Sequence, residues 1–177
     1  MYQKLTLSEI KEEARRAAVK GRLHEIGFLY PLREKLAESG LQASAGDMAL
    51  VGLAPAGELS WHFHPFESQV FIFDGEGEAA LAEQRYEFRA PCLIRVPAEL
   101  PHSFRTSQSQ EFWGLSWIAQ SFREFEQQGV SEFCSPVAAR GEAALWPGFS
   151  ADRWVCAGLE FAPDLHRDLL RVRRVVP

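Results

Sequence analysis

Three of the five histidines in this 177-residue chain fall where they could act together. His62 and His64 stand one residue apart, so on an extended strand both imidazoles project from the same face. His102 follows behind a second apolar run, Cys92-Leu-Ile-Arg-Val-Pro97, and an adjacent antiparallel strand would carry its ring to the same point. Neutral imidazole is a ligand for iron, manganese, cobalt, nickel, copper and zinc, so three converging rings make a cup for one divalent first-row metal.

The elements that must position these rings read as strands. Met48 to Ala54 is a short apolar run before the turn Pro55-Ala-Gly57, which leads into His62. Gln69 to Phe73 is apolar on both faces, as a strand between two layers must be. Gly75 and Gly77 are read as its hairpin, with Glu78–Leu81 and Tyr86–Arg89 as the following strands. Phe112 to Ala119, in which Trp113, Leu115 and Trp117 alternate, reads as a closing strand. Aromatic residues gather between Trp61 and Trp117, which predicts an aromatic-lined cavity.

The flanks read as helix. Thr6 and Glu9 have capping-box spacing, Ile10, Ala14, Ala17 and Ala18 mark a buried side, and Gly21 can stop the first helix. A second helix is expected from Pro31 to Gly40, with Leu32 and Leu36 on one face and His24 in the loop before it. Asp164 to Arg174 reads as a terminal helix with a capping aspartate, arginines at its end and His166 exposed. Phe122, Phe125 and Val130 suggest a helix or lid. Trp146, Phe149 and Trp154 would dock the last third of the chain onto the barrel or onto a second subunit.

Composition bounds the rest. A chain of this length with 46% hydrophobic residues is sized for one domain. A net charge of −5 with scattered Lys and Arg excludes the basic footprint that nucleic acid requires. No apolar run has the length of a signal peptide or a membrane span, so a soluble, cytoplasmic protein is expected. Cys92, Cys134 and Cys156 are odd in number and lack Cys-x-x-Cys spacing, which argues against a disulfide framework or a thiolate zinc site.

His62-x-His64 followed by Pro65, a β-branched and aromatic run ending in Asp74-Gly-Glu-Gly77, and then Val96-Pro-Ala-Glu-Leu-Pro-His102 resemble, in order, the two signature motifs of the cupins. The resemblance covers roughly Asp47 to Ala119. It implies an all-β fold, a double-stranded β-helix or jelly-roll barrel at 46–120, to which the patterns read above add an N-terminal helical arm at 1–45 and a C-terminal extension at 121–177. It also implies metal ligation by His62, His64 and His102, and a homodimer.

Cupins usually supply a fourth ligand, a glutamate, three or four residues beyond the second histidine, where this chain has Ser68 and Gln69. Gln69, whose amide oxygen can coordinate, is the candidate for that place, with Glu67 its rival. Alternation makes the choice binary. If Gln69 points inward, Phe71 and Phe73 follow it; if Ser68 does, Val70 and Ile72 follow. In the second motif Glu99 replaces the family's usual glycine.

A metal held without a carboxylate keeps its full charge, which favours a small anionic ligand. The family resemblance then admits an enzyme, foremost an iron-dependent oxygenase of a small organic acid or aromatic compound. Alternatives are a non-redox lyase or isomerase of a carboxylated, sugar-like substrate, and a binder without turnover. Glu67, Glu99 and Tyr86 are the candidate acid–base residues, with Arg95 also within reach of the cavity.

Overall fold

A computed structural model describes residues 2–20, 27–120, 144–146 and 153–175. His24, Phe122, Phe125, Val130, Cys134 and Phe149 lie outside them. The centre is a barrel of curled antiparallel strands: β2 (Phe28–Pro31), β3 (Asp47–Leu53), β4 (Glu58–His62), β5 (Ser68–Leu81), β6 (Gln84–Arg89), β7 (Cys92–Val96), β8 (His102–Arg105), β9 (Phe112–Ile118) and β10 (Ala144–Trp146). One wall has the order β10-β7-β5-β9-β3-β2; the other is built from β4 on β8, β8 on β5 and β5 on β6.

Strand β5 belongs to both walls, and its glycines explain how. Gly75 and Gly77 were expected to turn a hairpin; instead β5 runs unbroken through fourteen residues, and the turn comes after Leu81. Gly75 adopts φ +83° where the register with β9 slips between Ile72 and Asp74. A Cβ there would collide with the Glu111 carbonyl, and one on Gly77 would lie 2.7 Å from the Arg105 carbonyl. Both glycines therefore serve close strand approach at a bulge, which bends β5 from one wall into the other.

A second layer covers the outer face of the β5–β9–β3 wall. It consists of β1 (Gln3–Thr6), α1 (Leu7–Lys20), α2 (Arg33–Ala37), β11 (Trp154–Cys156), β12 (Leu159–Asp164) and β13 (Leu169–Arg174). The strands form a sheet of order β1-β13-β12-β11, which joins the two ends of the described chain. Helix α1 buries Leu7, Ile10 and Ala14 at helical spacing.

The capping-box reading of α1 is corrected. Thr6 ends β1, and the helix start is satisfied from across the molecule: Asp168 accepts from the Ser8 amide at 2.9 Å, and its carbonyl accepts from the Leu7 amide at 3.0 Å.

Two further helical expectations fail for physical reasons. Pro31 ends β2, where Phe28–Pro31 pairs with Ala49–Gly52, so the second helix shrinks to Arg33–Ala37. The expected terminal helix is a hairpin: β12 and β13 pair from Leu159↔Arg174 to Asp164↔Leu169. Its sequence alternates, with Leu170 and Val172 buried while Leu169, Arg171 and Arg173 on the other face are half-buried, which is a strand's period rather than a helix's. Asp164 still caps, but only a three-residue turn, and His166 is exposed as expected.

Candidate metal centre

The three histidines meet inside the barrel. Strand β4 ends at His62, which stands directly opposite His102, the first residue of β8. His64 lies two residues beyond β4, where its carbonyl accepts from the Glu99 amide at 2.8 Å. Ring centroids are 4.2 Å apart for His62–His102 and 4.8 Å for His64–His102. One ligand atom from each residue lies within 4.8 Å of the others, and all three rings are buried. A modest rotation of the rings would contract that spacing to the roughly 3 Å that imidazoles at about 2.1 Å from a shared ion require.

Local hydrogen bonds prepare two of the rings. His64 Nδ1 stands 2.7 Å from the Phe66 carbonyl and His102 Nδ1 stands 2.8 Å from that of Leu100. A carbonyl can only accept, so both rings carry their proton on Nδ1 and leave the Nε2 lone pair for a ligand. Burial, reinforced by the neighbouring imidazole of His62, pushes His64 down to about 4, and burial with both neighbours takes His102 well below the ordinary histidine value. The rings of His64 and His102 are thus neutral at neutral pH. The donor set fits a divalent first-row ion, which His62, His64 and His102 would hold.

The triad opens into a cavity of about 110 Å³. Val51, Leu53, Leu59, Phe66, Val70, Phe104, Phe112 and Ile118 supply its apolar lining. Trp113, Leu115 and Trp117 face the outer layer instead, so phenylalanines provide the aromatic part of the wall.

The position of Gln69 is corrected. Ser68 and Val70 face the cavity, whereas Gln69 shares the other face with Phe71 and Phe73 and donates to Glu67 at 3.2 Å. The binary question is decided by pairing: Ser68 sits opposite Val96 of β7 and Ile118 of β9, and this register turns Ser68, not Gln69, inward. The fourth position therefore presents a hydroxyl to the cavity, not an amide or a carboxylate.

None of the candidate acid–base residues lines the cavity. Glu67 forms an ion pair with Arg95 at 2.5 Å on the outer face, and that guanidinium holds its carboxyl below the usual range. Glu99 is exposed at φ +61°, the left-handed backbone position where the family prefers glycine. Tyr86 packs on the edge of the interior cluster, with its hydroxyl on Gln84. Sequence reasoning missed Ser116, which lines the cavity from β9. The signal was present in the alternation Phe112, Gly114, Ser116, Ile118, a single hydroxyl in an otherwise apolar set.

The curled antiparallel walls form a jelly-roll barrel with three histidines turned inward, close enough together that they could hold a metal ion. A family model for the Cupin domain matches residues 49–114, the stretch that forms most of the barrel, and supports the resemblance to the cupins. A curated relative, Polyketide synthase CurC from Streptomyces cyaneus, is 28% identical over 81 residues, which is 45% of this chain and 53% of that protein. The chain thus matches only about half the length of that relative. Among solved structures, a cupin protein from Bacteroides fragilis is 16% identical, covering 53% of this chain and 77% of the other, with a TM-score of 0.44. The polyketide cyclase RemF from Streptomyces resistomycificus is 20% identical, covering 52% and 65%, with a TM-score of 0.45. No helix among the described residues is long and apolar enough to cross a membrane.

Proposed function

We propose that this chain is a metal-dependent enzyme in which His62, His64 and His102 hold one divalent ion and present it to a small, largely apolar ligand bound through an anionic oxygen. The observation that carries this reading is a buried three-histidine cup in a cavity whose described lining contains no carboxylate, lysine, arginine or tyrosine. With no protein anion to offset it, a bound ion keeps its charge for the ligand. The same lining supplies no evident side chain for shuttling protons, which a lyase or isomerase would require. We therefore place an iron-dependent oxygenase first, iron supplying redox chemistry with dioxygen while the protein binds, orients and excludes water. A second reading, non-redox chemistry on an oxygenated ring compound, draws support from the relationship to a polyketide synthase component.

Metal analysis of protein purified without added metal, paired with oxygen-uptake assays on small acids and phenols, tests the reading. Iron with uptake is the expected result; zinc or manganese without uptake would favour the second reading. A His102→Ala protein should keep its fold and lose the metal, and full metal stoichiometry in that variant would sink the site.

A further inference from the structure

Within the cavity the two walls differ in chemistry. The β4–β8 wall carries His62 and His102, whereas the β5–β9 wall carries Ser68 and Ser116. In the register of β5 with β9, Val70 pairs with Ser116 and Ser68 pairs with Ile118. The two hydroxyls therefore occupy diagonal corners of a four-residue patch, roughly 7–8 Å apart at the backbone, with Val70 and Ile118 at the other corners.

Both serines are more than nine-tenths buried, at 4% and 7% exposure. Neither hydroxyl is hydrogen-bonded to another described residue, although both border the cavity. Neither is among the sealed polar atoms left without a partner in the described residues, which are Gln3 Oε1 and Arg171 Nε, so each hydroxyl is open to the cavity and available to whatever fills it. These groups are aimed at something that enters the cavity.

Size and charge say what that is. A cavity of about 110 Å³ is smaller than the roughly 150 Å³ apolar cavity that holds benzene, so the enclosed part of a ligand is at most one ring. No charged side chain among the described lining residues could neutralise a second carboxylate or an ammonium group.

We propose that Ser68 and Ser116 are specificity-determining residues that bind an uncharged hydroxyl or carbonyl of the ligand. The site would then select ring-sized molecules with one metal-binding oxygen group and one neutral oxygen, and reject dianions. This rests on the metal reading above, and the experiment separates the two. The full chain is loaded with cobalt, whose stoichiometry and visible spectrum report the triad. Dissociation constants are measured for benzohydroxamate, its 3-hydroxy and 4-hydroxy analogues, and 4-carboxybenzohydroxamate.

In the native protein one hydroxylated analogue should bind about three- to tenfold more tightly than the parent, and the carboxylated one at least about tenfold more weakly. Combining Ser68→Ala with Ser116→Ala should abolish the gain, leave cobalt loading unchanged, and not lower the melting temperature of the ligand-free protein. Threonine at both positions, which keeps the hydroxyls, should retain the gain. A preference that survives the double alanine change with cobalt fully loaded would overturn the serine assignment alone. So would a melting temperature that falls on losing the hydroxyls while the preference stays. Cobalt that fails to load in the native chain would overturn the metal reading and this inference with it.

Discussion

The two faces of the β5–β9–β3 wall are built to opposite standards. Outside, Phe71, Phe73, Trp113 and Leu115 meet Leu7, Ile10, Trp154 and Phe161 in a filled cluster. Polar side chains at its edge are paired: Lys11 binds Asp74 at 2.9 Å, Arg15 lies over the Trp113 ring at 4.8 Å, and the Trp113 indole donates to Glu111 at 2.9 Å. Inside, the same strands face an incompletely filled space with three buried histidines and two hydroxyls that no other described side chain binds. One face carries the stability and the other carries the site, so the site can change without the barrel collapsing.

The largest expected effect is on the outer face. Trp113 is fully buried and stacks on Phe28 at 5.2 Å, so Trp113→Ala should cost about 3–5 kcal/mol in urea unfolding. A loss below about 1 kcal/mol would show that the outer layer is not the stabilising one.

The next effect separates the faces by pH in metal-free protein. Burial holds His64 at about 4 when folded, against 6.5 ordinarily, so the unfolded chain takes up the proton more readily. Its contribution is complete above pH 6.5 and lost as pH falls from 6.5 towards 4, by about 3 kcal/mol. On the outer layer Arg173 holds the Glu160 carboxyl below its ordinary value of 4.5, so that contribution is lost only at lower pH. Urea midpoints at pH 7, 5.5 and 4 should fall through this range, and a flat profile would mean the histidines are not buried as described.

A smaller effect tests which residue faces inward. Ser68→Glu places a carboxylate in the cavity and should tighten divalent-metal binding by about tenfold or more, as a charge-assisted contact would. Gln69→Glu, on the other face of the strand, should leave metal affinity unchanged within about twofold, the smallest effect of the four. Equal responses in metal titrations would reject the assigned register.

Barrel and triad were legible because they rest on local pattern: period-two runs, and histidines placed before and after them. The fourth position was not, because Ser68 and Gln69 differ only in parity, and parity is set by pairing with Val96 and Ile118, residues distant in sequence. Gly75 and Gly77 misled because glycine marks both turns and close strand approach, and only the neighbouring carbonyls of Glu111 and Arg105 distinguish the two. The C-terminal hairpin was hidden by arginines that resemble a helix end, while its true partner, β1, lies at the far side of the chain. The cap on α1 was unreadable for the same reason, since Asp168 comes from that hairpin.

That pairing of β1 with β13, Gln3 opposite Val172, also sets an order of events during synthesis. A ribosome adds about 5–20 residues per second, so β1 waits on the order of ten to thirty seconds before its partner exists. The strands of the barrel are delivered within that interval and can close first. Until the hairpin arrives, the apolar outer surface around Phe71 and Trp113 lacks the part of its cover that Trp154 and Phe161 provide. The nascent barrel therefore keeps that part of its apolar surface uncovered until the last strands, β11 to β13, have been made.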